Sequence, residues 1–163
     1  PRPTEEEGPL TTPQFPGEDE MTQRIDRAER TIEFERTLHC PPEAAFDAWT
    51  DPAQVTAWWD PTGEPLVSCT IDLRLAGAFR FVTQGHAPPF EGTYRHLDRP
   101  RRLEFEALGA HGTVSFTPRG AQTHMRVTIR SPSVEHFETF LKLGVDQGTA
   151  KTMDNLAAFL RRR

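Results

Sequence analysis

The sequence predicts an α+β fold in which a curved antiparallel sheet of seven strands wraps one long C-terminal helix, with two short helices after the first strand. Three observations predict it. An alternating apolar–polar segment comes first, six further strand-like segments are divided by short turn sequences, and the chain ends in an apolar stripe with spacings of three and four.

Residues 31–39 alternate, with Ile32, Phe34 and Leu38 on one face and Glu33, Glu35 and Thr37 on the other, as in a half-buried strand. Cys40-Pro41-Pro42 ends that strand, and Pro42-Glu43 opens a helix, since proline is tolerated in a first turn. Ala45, Phe46 and Trp49 give this helix an apolar face. Thr50-Asp51-Pro52 stops it and caps a second short helix that ends at Trp58-Trp59. Strand-like segments then cover residues 66–75, 79–84, 90–97, 102–107, 113–117 and 123–130. Turn chemistry separates them, including Ala76-Gly77, Asp98-Arg99-Pro100, Gly109-Ala110-His111-Gly112 and Pro118-Arg119-Gly120. Links this short imply an antiparallel meander. A helix over 134–143 breaks near Gly144, and a longer one runs from about Asp146 to Arg161. Val145, Ala150, Met153, Leu156, Ala157 and Leu160 form its apolar stripe. One long helix covers such a sheet sparsely, so a cavity between them is expected. Gly144 and Gly148, which lack side chains where the helix begins, would widen its opening, although Gly144 also reads as a simple helix break.

The 163 residues suit one domain. Residues 1–20 hold five of the fifteen prolines, six acids and one base. Such a composition buries too little apolar surface to offset ordering entropy. We therefore expect a disordered acidic tail over 1–28 and a folded domain over 29–163. The net charge of −5 resides in residues 1–20, because the remainder carries 18 acids and 18 bases. A balanced body gives no electrostatic reason to bind nucleic acid, and Arg161-Arg162-Arg163 read as cations at a helix C-terminus. No apolar run approaches the ~18 residues of a membrane span, and no export signal is visible. Cys40 and Cys69 form no CxxC pair. Reduced thiols and a cytoplasmic location are the expectation.

Several stretches, in order, resemble the SRPBCC (START-like, helix-grip) superfamily, in the branch of homologues of the activator of the heat-shock-protein ATPase. They are Cys40-Pro41-Pro42-Glu43, Phe46-Asp47-Ala48-Trp49-Thr50-Asp51-Pro52, Trp58-Trp59, Ile71-Asp72-Leu73-Arg74, Phe79-Arg80-Phe81, Gly92-Thr93-Tyr94, Pro100-Arg101-Arg102-Leu103 and Asp154-Asn155-Leu156. The likeness spans about residues 30–161. It departs at Leu75-Ala76-Gly77, where such proteins often have paired glycines, and at Gly144-Val145, where they often have Gly-Trp. The resemblance implies a helix-grip fold with a ligand cavity. Its members include ligand carriers, resistance proteins and cyclase-like enzymes, and the branch name implies a stress-response setting.

Candidate site residues follow from side-chain chemistry. Neighbours on a helix differ by about 100°, so Trp58 and Trp59 cannot both face one core. One packs inward while the other lies near the cavity mouth, or both pack around the helix end. Asp72 and Arg74, two apart on a strand, share a face. They would anchor a ligand's polar end or form a structural ion pair. Tyr94 and His96 share a strand face with Phe90. They would donate a hydrogen bond or transfer a proton within a pocket, or form a partly buried edge. The six histidines show no HxH, HExxH or Cys/His cluster, so no metal site is expected. No GxSxG, GxGxxG or P-loop occurs, and no cofactor is expected. The leading expectation is a module that binds a small apolar or amphipathic ligand for sequestration, sensing or resistance. The alternatives are a cyclase- or hydrolase-like enzyme using Tyr94, His96, Asp72 or Arg74, and a co-chaperone-like adaptor with a protein partner or as a homodimer.

Overall fold

The computed structural model describes residues 21–162. The chain runs β1 (Met21–Asp26), β2 (Thr31–Leu38), α1 (Pro42–Thr50), α2 (Pro52–Trp58), β3 (Ser68–Ile71), β4 (Ala78–Val82), β5 (Phe90–Asp98), β6 (Arg102–Ala107), β7 (Ala110–Arg119), β8 (Gln122–Arg130), α3 (Val134–Lys142) and α4 (Val145–Arg162). All strands join one sheet in the order β1-β2-β8-β7-β6-β5-β4-β3, with antiparallel neighbours throughout.

The sheet has eight strands, not seven. The additional strand, β1, pairs with β2 from Met21↔Arg36 to Asp26↔Thr31. Residues 21–26 therefore belong to the fold, and the expected tail boundary at residue 28 was too late. An edge strand needs little apolar surface, and β1 is largely exposed, so its composition resembles that of the tail. Residues 1–20, which carry the rest of the tail expectation, lie outside the described residues. Two other boundaries move. β3 ends at Ile71, and Leu73 and Leu75 stand exposed in a turn. β7 begins at Ala110, so the turn before it tightens to Leu108-Gly109, both at positive φ (54° and 79°). Gly112, which reads as turn chemistry, instead lies within β7 beneath the Phe105 ring. A Cβ there would sit 2.5 Å from Phe105 Cζ.

The core lies between the sheet and the helices. Ile32, Phe34 and Leu38 from β2, Phe116 from β7 and Met125 from β8 meet Met153, Leu156 and Leu160 of α4. Asp51 caps α2 by accepting from the Ala53 amide at 3.1 Å. Two side chains of α4 hold the end of α2. Thr152 Oγ1 donates to the Trp59 carbonyl at 3.0 Å, and Asn155 Nδ2 donates to the Asp60 carbonyl at 2.9 Å.

Arg36 and His124 are among the titratable groups buried within this frame. Arg36, 8% exposed on the inner face of β2, pairs with Asp154 of α4, and its Nε makes no hydrogen bond among the described residues. Removing one partner of a buried pair leaves an uncompensated charge, whereas an apolar replacement of similar volume is often neutral. We expect Asp154→Ala to lower stability by about 1–3 kcal/mol, below the fully buried range because Asp154 is half exposed. Arg36→Met should leave stability unchanged or raise it. Urea unfolding of both variants checks this, and equal losses would refute it. On the outer face, His124 is buried against Glu35, with Nε2 and Oε1 3.0 Å apart. Burial pushes its pKa below the ordinary 6.5, against the opposing pull of Glu35. The unfolded chain then binds the proton more readily, so stability falls as pH drops from about 6.5 towards the lowered value. His124→Gln should flatten that part of a stability–pH curve.

Candidate ligand cavity

The sheet's inner face and the helices enclose a cavity of about 240 Å³. One wall is aromatic. Trp59, just past α2, packs its ring 4.9 Å from both Phe81 and Phe90, and Phe105 meets Phe90 edge-on at 6.5 Å. The floor is small: Ala107, Ala110 and Gly112 lie where β6 and β7 meet. The helix wall consists of Val145, Gly148, Thr149, Thr152 and Met153, on successive turns of α4. A Cβ at Gly148 would meet nothing within 4 Å, so open space faces it. Leu108 and Phe140, from the β6–β7 turn and α3, complete the lining.

α3 is fixed to that turn by a histidine. A carbonyl only accepts, so His136 Nε2 donates to the Leu108 carbonyl at 2.8 Å. Its Nδ1 lies 2.9 Å from Ser131 Oγ. The same ring lies 4.2 Å from the Phe140 ring, tilted by 47°. The hydrogen bond holds Leu108 in the left-handed region, which costs a residue with a Cβ about 1–2 kcal/mol.

The expected site residues separate into two groups. Trp59, Phe90 and Gly148 line the cavity. Trp58 does not. It is 1% exposed, donates from Nε1 to the Ala48 carbonyl at 3.0 Å and meets Trp49 edge-on. Tyr94 lies behind the aromatic wall, beside a void of only about 20 Å³. Asp72 and Arg74 lie outside, because β3 ends before them. They pair with each other at 2.8 Å on the surface. His96 is also exposed. A bulge shifts the register between Tyr94 and His96, so the two do not share a face. Gly144, at φ 77°, follows the end of α3 and is not part of the lining.

Sequence reasoning missed Trp49, Phe105, Leu108, Phe140, Thr149 and Thr152. Trp49 was legible only as core, on the apolar face of α1. Its Nε1 is buried with no acceptor among the described residues.

The chemistry of the lining is uniform: no acid, base, histidine or cysteine contributes to it. Thr152 is committed to the backbone carbonyls of Trp59 and Gly148. Thr149, half-buried on α4, is the other hydroxyl residue of the lining. Tyr94 and Cys69 are held neutral. Burial raises the Tyr94 hydroxyl well above its ordinary pKa, and Cys69 adds to that. Burial likewise pushes the Cys69 thiol up to about 11, opposed by a hydrogen bond with Thr56. Among the described residues no group of three His, Cys, Asp or Glu could hold a metal ion, and no helix is long and apolar enough to cross a membrane. A larger, open groove near Arg30 and Arg130 is polar, and its Glu91 and Glu106 are already paired with Arg80 and Arg95.

A curved antiparallel sheet gripping a C-terminal helix, with two short helices after β2, defines a START-like protein of the SRPBCC superfamily. The chain belongs to the family described as activator of Hsp90 ATPase homolog 1-like proteins, whose profile matches residues 39–161. Similar solved structures include a protein from Arthrobacter aurescens, 19% identical with a TM-score of 0.78, covering 87% of this chain and 92% of that one. Another is a protein from Rhodobacter sphaeroides, 20% identical with a TM-score of 0.77 and coverages of 88% and 99%. A third is an AHSA1-like protein from Aeromonas hydrophila, 24% identical with a TM-score of 0.67 and coverages of 81% and 92%. At these identities the likeness is one of fold. No curated protein matches the sequence.

The state of Cys69 is measurable. Only the thiolate reacts with alkylating agents. At pH 8, Cys69 should react with iodoacetamide on the order of a hundredfold more slowly than a free cysteine thiol of pKa about 8.5. Rapid labelling of the folded protein at Cys69 would refute this.

Proposed function

We propose that the protein binds a small apolar molecule in the cavity between sheet and α4 and performs no chemistry on it. One observation carries this reading: the cavity is walled by aromatic and small apolar side chains and contains no ionisable group. Pockets that combine apolar walls with a few polar groups are the usual form of ligand sites. General acid–base catalysis needs a titratable group within hydrogen-bond reach of the reacting atom. Asp72, Arg74 and His96 face solvent, and Tyr94 lies behind Phe90 and Phe105, so the enzyme reading lacks its residues. An adaptor role has weaker support. Leu73 and Leu75, 47% and 65% exposed, are ordinary for a soluble surface, where single exposed apolar residues need no explanation.

Gly148 provides the test. Gly148→Leu puts a side chain into the open space beside α4, where a Cβ meets nothing. Replacing a helical glycine with a good helix former favours the helix by up to about 1 kcal/mol, so stability should hold or rise. Saturable quenching of Trp59 by an uncharged aromatic probe should weaken at least tenfold in the variant. Unchanged probe affinity in a folded Gly148→Leu protein would contradict this use of the cavity.

A further inference from the structure

We infer that the ligand is an uncharged ring compound of about two fused rings bearing one hydrogen-bond acceptor, and that the cavity discriminates against ionised analogues such as carboxylates. This rests on the binding reading above and narrows it to a chemical class.

Size sets the first limit. A dry apolar cavity of ~150 Å³ holds one benzene ring, whereas drug-sized ligands occupy pockets of ~300 Å³ or more. At about 240 Å³ the cavity falls between them, which suits two fused rings. The wall sets the second. Trp59, Phe90, Phe105 and Phe140 line the space. Aromatic pairs gain ~0.5–1.5 kcal/mol beyond their buried area, so a ring ligand outcompetes an aliphatic one of equal size.

Charge sets the third limit and is the most selective. A carboxylate or ammonium entering this space loses its water and gains no counter-charge, because no charged side chain contributes to the lining. Burying an unpaired charge costs several kcal/mol even after relaxation. A fatty acid or a cationic amphiphile would have to leave its head group at the mouth. Donors set the last limit. Thr149, half-buried, brings a hydroxyl-bearing side chain to the lining, and Trp49 in the same wall has a buried Nε1 without an acceptor among the described residues. Thr152 is already committed. The Trp49 indole only donates and the Thr149 hydroxyl can donate, so both suit a ligand oxygen that only accepts, such as a ketone or an ether.

The test uses two compounds of one shape that differ by a charge, 2-acetylnaphthalene and 2-naphthoate, with naphthalene and decanal as controls. Affinities are measured on the full chain at pH 7 by Trp emission and by calorimetry. The ketone should bind at least a hundredfold more tightly than the carboxylate and at least fivefold more tightly than decanal. Thr149→Val should weaken the ketone about tenfold and leave naphthalene within twofold. Thermal unfolding of Thr149→Val confirms that the fold is retained. Carboxylate affinity within threefold of the ketone would overturn the charge limit. Binding of decanal but of neither naphthalene compound would overturn the ring class and leave the cavity reading intact. Binding of none of the four would remove the cavity reading itself, and this inference with it. An equal effect of Thr149→Val on ketone and naphthalene would overturn the role given to the Thr149 hydroxyl.

Discussion

A single helix of 18 residues has to cover one face of an eight-stranded sheet. At 1.5 Å per residue the helix is about 27 Å long, and with side chains it is ~10 Å wide. Eight strands about 4.8 Å apart span ~34 Å. The helix therefore covers a stripe and leaves a flank open. α4 packs against β2 and α1 against β7 and β8, and the β5–β6 flank is left to side chains from elsewhere in the chain. The clustered rings, the short α1–α2 pair and the cavity are all responses to that shortfall of helix.

How the flank is filled depends on α2. Two tryptophans at its C-terminal end have different duties. Trp58 is buried and hydrogen-bonded to the Ala48 carbonyl, which joins α2 to α1. Trp59 points across the gap to Phe81 and Phe90. The carbonyls of Trp59 and Asp60 are held by Thr152 and Asn155 of α4. The aromatic wall and the helix wall are thus held in register by two hydrogen bonds, each worth about 1 kcal/mol net. On the other side His136 sets α3 against the β6–β7 turn and positions Phe140 beside Leu108. Few contacts separate the space from solvent, and each comes from a different part of the chain.

The elements were legible in the sequence, and the fold with them, because alternation, turn chemistry and the apolar stripe of α4 are local signals. β1 was not, because an exposed edge strand carries no apolar pattern to read. The site was legible only in part. Trp59, Phe90 and Gly148 stood out by residue type. Asp72 and Arg74 misled because a shared strand face holds only while the strand lasts, and β3 stops at Ile71. His96 misled because one bulge reverses the face of every residue beyond it, a shift with no local sequence signal. Phe105, Leu108, Phe140 and Thr149 come from four separate elements and meet only through the sheet order and the crossing of α4. Tertiary placement of that kind has no counterpart in a window of sequence.

The cavity is also informative for what it costs. Empty volume in a core destabilises by ~24 cal/mol per Å³, so a closed void of about 240 Å³ would cost up to ~6 kcal/mol. That is comparable to the whole stability of many domains, and the open mouth lowers it only in part. Filling the space would be chemically simple. Gly148 has room for a side chain, and a larger residue there would also favour the helix. Not every small residue is free in this way. Gly112 is forced, since the Phe105 ring occupies the place of its Cβ. Gly148 is forced by no neighbour, no turn and no positive φ. A glycine at a site where packing and helix propensity both favour something larger points to the space beside it as the feature retained.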